Sequence, residues 1–180
     1  MPISPLVYLT DRLPGLQLCP MKEAHLPQVW ELQCLAYAPE FHESEATFRA
    51  KRAAWPDCCW VLVQDGQVLA YLFAQEGRLG HPPCLHSEGR ELGERDCFHL
   101  HDLAIHPDFR GQGLGRPLID GGLAEGRRRG LSWASLVAVQ QSVAFWVKQG
   151  FGEAPPELNP PLISYGPDAR YLIRPLKKES

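Results

Sequence analysis

His99–Gly115 reads HLHDLAIHPDFRGQGLG, and this stretch decides the fold. A strand from Cys97 ends near Ile105, His106–Phe109 form a turn, and Arg110-Gly111-Gln112-Gly113-Leu114-Gly115 leads into a helix. Glycine at alternate positions lets the backbone turn sharply and leaves its N–H groups uncovered. Those groups sit at a helix N-terminus, where the macrodipole favours an anion. Arg110 adds a fixed positive charge beside them. The pattern fits a phosphate, and best a diphosphate, because several N–H groups converge. A dinucleotide fingerprint needs G-x-G-x-x-G directly after the strand and an acid about 20 residues on. The spacing here is G-x-G-x-G, and Ser132–Val139 holds no acid. A Walker loop needs Lys-Ser/Thr after its last glycine, where this chain has Arg116-Pro117. A glycine-rich turn without a ligand is the plainer alternative.

Outward from that motif, periodicity predicts a mixed order of strands and helices. Before it come a strand at Gln17–Met21, helices at His25–Tyr37 and Glu43–Trp55, and strands at Cys59–Gln64 and Gln67–Gln75 joined by Asp65-Gly66, a hairpin signal. Ser44 opens the second helix and Pro56 stops it. Gly77–Asp96 is a polar loop. After the motif come a helix at Gly113–Arg129 capped by Gly130, a strand at Leu131–Val139, a helix at Gln140–Gln149 ended by Gly150, a proline-rich loop at Pro155–Pro161 and a strand at Tyr171–Pro175. Antiparallel strands come first and strand–helix crossovers follow. The expected fold class is α/β (α+β): a mixed, mainly antiparallel sheet of about six to seven strands flanked by helices. One domain is expected over 1–180.

With 18 Lys+Arg against 21 Asp+Glu, the net charge is −3. That argues against nucleic acid or an anionic membrane as partner. No apolar run reaches the roughly 18 residues of a membrane span. Met1–Arg12 lacks a basic start followed by an apolar stretch, so no secretory signal is expected. The 6 Cys, two of them adjacent at Cys58 and Cys59, read as reduced thiols, which implies a cytoplasmic protein.

Arg110-x-x-Gly113-x-Gly115, after Leu103-Ala104-Ile105-His106-Pro107, resembles the acetyl-CoA loop of the GNAT superfamily of N-acyltransferases. Val139–Phe151 (VQQSVAFWVKQGF) is similar to that superfamily's later helix, which commonly reads Asn-x-x-Ala-x-x-Phe-Tyr and closes on Gly-Phe. Phe145, Gly150 and Phe151 match; Val139, Ser142 and Trp146 depart from it. The resemblance implies acetyl-CoA as co-substrate and no metal. It places the pyrophosphate on the amides of Gly111, Gln112, Gly113, Leu114 and Gly115, beside Arg110. It places the pantetheine along Leu103, Ala104 and Ile105, with Phe145 and Trp146 lining it. The Ile105 N–H would then polarise the thioester carbonyl. The usual tyrosine at position 146 protonates the departing thiolate; an indole cannot. The thiolate then leaves unassisted, or Tyr165, Tyr171 or Ser142 substitutes.

Within the superfamily, His99-Leu100-His101 and the His-x-x-Phe-Arg turn at His106–Arg110 are most similar to the serotonin (arylalkylamine) N-acetyltransferases. There the two strand histidines line the amine site and relay its proton. Strand parity independently puts His99, His101, Leu103 and Ile105 on one face and Asp102 on the other, unless a bulge intervenes. Imidazole titrates near neutrality and can take a proton from an alkylammonium. Two histidines without catalytic work are the alternative. Tyr37, Glu40 and Phe41, in the first turn with Glu43, are candidates for binding the amine. Cys84, His86, Cys97 and His99 have ligand chemistry but not zinc spacing. The expected activity is direct acetyl transfer to a small primary amine by a monomer or homodimer. A peptide, protein N-terminus or lysine as acceptor is one alternative, and a non-catalytic CoA sensor is another.

Overall fold

A computed structural model describes residues 5–87 and 93–176. The elements run α1 (Pro5–Arg12), β1 (Gln17–Pro20), α2 (Leu26–Ala36), α3 (Glu45–Ala54), β2 (Cys59–Gln64), β3 (Gln67–Gly77), β4 (Cys97–Ile105), α4 (Gly115–Arg128), β5 (Trp133–Ala138), α5 (Val143–Lys148), β6 (Gly152–Glu153) and β7 (Arg170–Pro175). The seven strands form one sheet in the order β1-β2-β3-β4-β5-β7-β6. Among the described residues, only β4 and β5 pair in parallel. The expected mixed, mainly antiparallel α/β class is what the chain adopts. Of the expected polar loop, residues 88–92 lie outside the described residues, as do residues 1–4 of the segment read for a signal.

Local chemistry explains the borders. Ser44 accepts from the Thr47 N–H and caps α3. Asp65 and Gly66 take φ of 48° and 80°, the left-handed pair of a tight hairpin turn. Helix α5 begins later than the Gln140 expected from periodicity, because Gln140 and Gln141 are left-handed, with φ of 51° and 59°.

Two hydrophobic layers cover the sheet. Leu114, the N-cap of α4, and Leu118, Ile119 and Leu123 within it pack on one face with Phe98, Leu100 and Leu136. Each such side chain contributes about 1.5–3 kcal/mol of burial. A Cβ at Gly126 would come within 3.0 Å of Phe98 Cβ, so this glycine lets α4 lie close to the sheet. Leu26, Val29 and Leu32 of α2 and Phe48 of α3 pack on the other face with Val61, Tyr71, Phe73 and Ala104.

Strand β4 contains a bulge that overturns part of the parity expectation. Asp102 pairs with Phe73 and Leu100 with Ala74, so His101 has no residue opposite. His99 and His101 keep the α2/α3 side, but Leu103 and Ile105 swing to the α4 side. Asp102 comes to the histidines' side, where Tyr71 donates to its Oδ2 at 2.8 Å. The extra residue shifts the phase of a two-residue period by one.

Candidate active site

Strands β4 and β5 pair only from Cys97–Trp133 to His99–Ser135 and then part. The split opens a cleft of about 410 Å³, within the ~300–1,000 Å³ usual for small-molecule sites. Leu103, Ala104, Ile105, Arg110, Gly111, Phe145 and Trp146 line it, together with Tyr37 and His101. His106 N–H donates to Leu69 O at 2.8 Å. The antiparallel ladder alternates, so the amides of Leu103 and Ile105 turn away from β3 toward the split. One of these groups is already used: Tyr37 OH donates to Leu103 O at 2.6 Å.

Of the glycine loop, Arg110 and Gly111 line the cleft, and Gln112, Gly113, Leu114 and Gly115 continue beyond that lining. Gly111 and Gly113 have φ of 73° and 87°, and a Cβ at either would meet nothing within 4 Å. Among the described residues, no protein acceptor takes the backbone N–H of any residue from Gly111 to Gly115. Leu114 buries its side chain in the core, so only its backbone serves the loop. Gln112 Nε2 donates to Asp108 O at 3.4 Å, which braces the turn. Arg110 reaches Ala36 O at 3.3 Å. The turn therefore presents free backbone N–H groups beside an arginine, an arrangement whose chemistry suits an anion.

A second, smaller chamber of about 40 Å³ adjoins the cleft. Tyr37, Phe41, Glu43, His101, Asp102 and Tyr165 line it, and Tyr37 and His101 border both spaces. Glu40 is exposed and borders neither space. His99 borders neither either: it is 2% exposed and its Nδ1 lies 2.9 Å from Ser135 Oγ. Burial, with His101 and Lys51 nearby, holds the His99 imidazole well below its ordinary pKa, so it stays neutral.

His101 is held by two residues that the sequence reading missed as partners. Its Nε2 lies 3.2 Å from Glu43 Oε1 and 2.5 Å from Lys51 Nζ. Lys51 is paired with the Glu43 carboxylate, and both side chains are almost fully buried. Burial opposes ionisation of Glu43, but His101 and Lys51 outweigh it and hold the carboxyl at about 2. Burial lowers the pKa of the Lys51 amine by more than Glu43 restores. The Nδ1 of His101 is buried with no hydrogen-bond partner.

Trp146 is 8% exposed and packs edge-on against Phe145 and Phe151. Of the residues considered as proton donors to the thiolate, Ser142 borders the larger cleft. Tyr165 OH donates to Pro83 O at 2.7 Å, and Tyr171 OH accepts from Gly80 N–H at 3.0 Å. Among the described residues, no group of three or more His, Cys, Asp or Glu side chains could hold a metal ion. Nor is any described helix long and apolar enough to cross a membrane.

Residues 26–151 match the model of the acetyltransferase (GNAT) family. The chain belongs to the GNAT acetyltransferase family. It is therefore an acyltransferase, and the family's acetyl-CoA fits the bare amides and the split described above. No curated protein sequence matches it. Solved GNAT-fold structures share its architecture at low identity. Ard1 from Thermoplasma volcanium superposes with a TM-score of 0.71 at 15% identity, covering 91% of this chain and 99% of that one. The ribosomal-protein-S18-alanine N-acetyltransferase from Escherichia coli gives 0.64 at 21%, covering 92% and 96%. The PaiA N-acetyltransferase from Thermoplasma acidophilum, in complex with coenzyme A, gives 0.65 at 10%, covering 89% and 98%.

Proposed function

We propose that this GNAT member acetylates a small primary amine directly, with His101 as the general base. The observation that carries the reading is the position of His101, whose unpartnered Nδ1 belongs to a ring bordering both the cleft and the small chamber. Acetyl-CoA, when bound, supplies an activated acyl group and a thiolate leaving group. The amides of Gly111–Gly115 and Arg110 hold its diphosphate, and the free edge of β4 at Leu103 and Ile105 holds its arm. Phe145 and Trp146 wall that arm.

An ammonium must lose a proton before its nitrogen can attack. In the tautomer that this reading uses, His101 donates its Nε2–H to the ionised Glu43 and keeps the lone pair on Nδ1, while Lys51 directs its protons to Glu43. Nδ1 takes the proton from the amine, and the resulting imidazolium is paired with the Glu43 carboxylate. An orienting carboxylate behind a histidine base serves this purpose elsewhere in enzymology. His99 packs behind His101, their ring centroids 6.1 Å apart, and supports it rather than meeting substrate.

The likeness to the arylalkylamine enzymes extends to the histidine pair and the loop. The chamber sets a limit on it. Its volume of about 40 Å³ takes an amino head group and not an aryl ring. Tyr37 and Phe41 wall the head group, and an aryl group must extend into the larger cleft or past the roof. That roof is tied down: Leu85 N–H donates to Ser164 Oγ at 3.0 Å and Tyr165 OH to Pro83 O. A roofed chamber disfavours an extended peptide as acceptor. The purified chain, mixed with acetyl-CoA and primary amines from butylamine to 2-phenylethylamine, is expected to release thiol in step with N-acetylated product. Release with peptide N-termini alone contradicts the small-amine reading, and binding of CoA without release contradicts catalysis.

A further inference from the structure

The small chamber contains a buried carboxyl group, one oxygen of which accepts no hydrogen bond among the described residues. Asp102 Oδ2 accepts from Tyr71 OH, but Oδ1 is shielded from solvent and has no hydrogen-bond partner. The bulge at His101 puts this carboxylate on the chamber wall beside the base. An unpartnered buried carboxylate oxygen costs free energy until a donor or cation reaches it. Glu43, the chamber's other acid, is differently placed. Its Oε2 is paired with Lys51, and its Oε1 receives the His86 N–H at 3.0 Å and faces His101.

We propose that Asp102 is the substrate-binding residue of the amine site: its Oδ1 receives the acceptor's ammonium and presents it to His101 Nδ1. The proposal rests on the acetyltransferase reading and adds to it a source of selectivity. The two orphaned atoms, Asp102 Oδ1 and His101 Nδ1, belong to adjacent residues on one chamber wall. One needs a donor and the other a proton, and an alkylammonium supplies both.

The surrounding groups favour a cation there. His101 and Glu43 face Asp102 from the β4 wall and the turn before α3, Lys51 from α3, and the Tyr71 and Tyr37 hydroxyls from β3 and the end of α2. The one buried cation among them, Lys51, is already committed to Glu43. Burial raises the Asp102 carboxyl above its ordinary pKa, and an ammonium beside Oδ1 reverses that shift. The same charge repels a carboxylate next to the amine. The site therefore selects amines whose carbon framework carries no acid near the nitrogen, and it discriminates against α-amino acids.

The test compares 2-phenylethylamine with 2-phenylethanol, titrated onto the CoA-loaded protein, in wild type and Asp102→Asn. Wild type is expected to bind the amine at least about tenfold more tightly than the alcohol. In D102N, which keeps the volume and the contact with Tyr71, that preference falls below about threefold. The KM for the amine rises at least about tenfold, while CoA affinity is unchanged and kcat at saturating amine stays within about threefold. A residue that merely supports the fold would shift the melting temperature and affect amine and alcohol alike. Equal KM and an intact preference in a folded D102N overturn the proposal. If D102N does not fold, wild type decides: binding the amine no more tightly than the alcohol overturns it. An inactive wild type that still prefers ammonium over alcohol supports the Asp102 assignment while overturning the acetyl-transfer reading, so the two failures are distinguishable.

Discussion

His101→Gln is expected to lower kcat/KM for a primary amine by about 100- to 1,000-fold at pH 7, within the roughly 100- to 10,000-fold that a positioned general base supplies. The loss is largest at acidic and neutral pH. It shrinks as the pH rises and the amine in solution sheds its own proton, because the variant then needs no base. CoA affinity is expected to change little, since the loop from Arg110 to Gly115 is untouched. His99→Gln is expected to cost less, because His99 borders neither cavity and stays neutral. Initial rates from pH 6 to 9 for wild type and both variants check this. A flat ratio of wild type to H101Q across that range removes His101 as the proton acceptor.

Lys51→Met is expected to be the most destabilising single change in the site, costing about 3–5 kcal/mol. It leaves the buried Glu43 carboxylate without its cation, and breaking a buried pair from one side is expensive. Removing both charges, as Glu43→Gln with Lys51→Met, is expected to cost much less, because no lone charge remains. The sign with pH follows from Glu43. Its carboxyl lies near 2 in the folded state against an ordinary value of 4.5. It therefore contributes stability above about pH 4.5, and that contribution is lost as the pH falls toward 2. K51M, in which the carboxyl titrates closer to its ordinary value, is expected to show a shallower loss over that window. Urea midpoints at pH 7 and pH 3 measure both effects. A K51M protein as stable as wild type at pH 7 means that the pair contributes nothing.

The sheet and the glycine turn were legible because short-range rules set them. Asp65-Gly66 forces a hairpin, and three alternating glycines beside Arg110 force an open anion turn. The site was less legible because bulges and buried pairs are long-range. No local signal in HLHDLAIH marks His101 as the bulged residue, yet that one residue moves Asp102 to the histidines' side and Leu103 and Ile105 away from it. Lys51 is a residue that the sequence reading does not single out. Its spacing held a clue: Thr47, Phe48 and Lys51 lie three and four apart, on the buried face of that helix. Glu40 and Glu43, three positions apart in one turn, end up exposed and buried respectively, because only Glu43 meets Gln33, Lys51 and His101. Helix α1 and the two-residue strand β6 are stabilised by what they pack or pair with, and the sequence reading missed both.

Calorimetric titration of CoA onto the purified chain, beside Gly113→Val, tests the central claim most directly. Valine cannot easily adopt the φ of 87° at that position, so the loop's amides lose their convergence. Wild type is predicted to bind CoA with a measurable exothermic isotherm, and G113V to bind at least about tenfold more weakly while melting at a similar temperature. No heat with wild type, or equal affinity in G113V, contradicts the account.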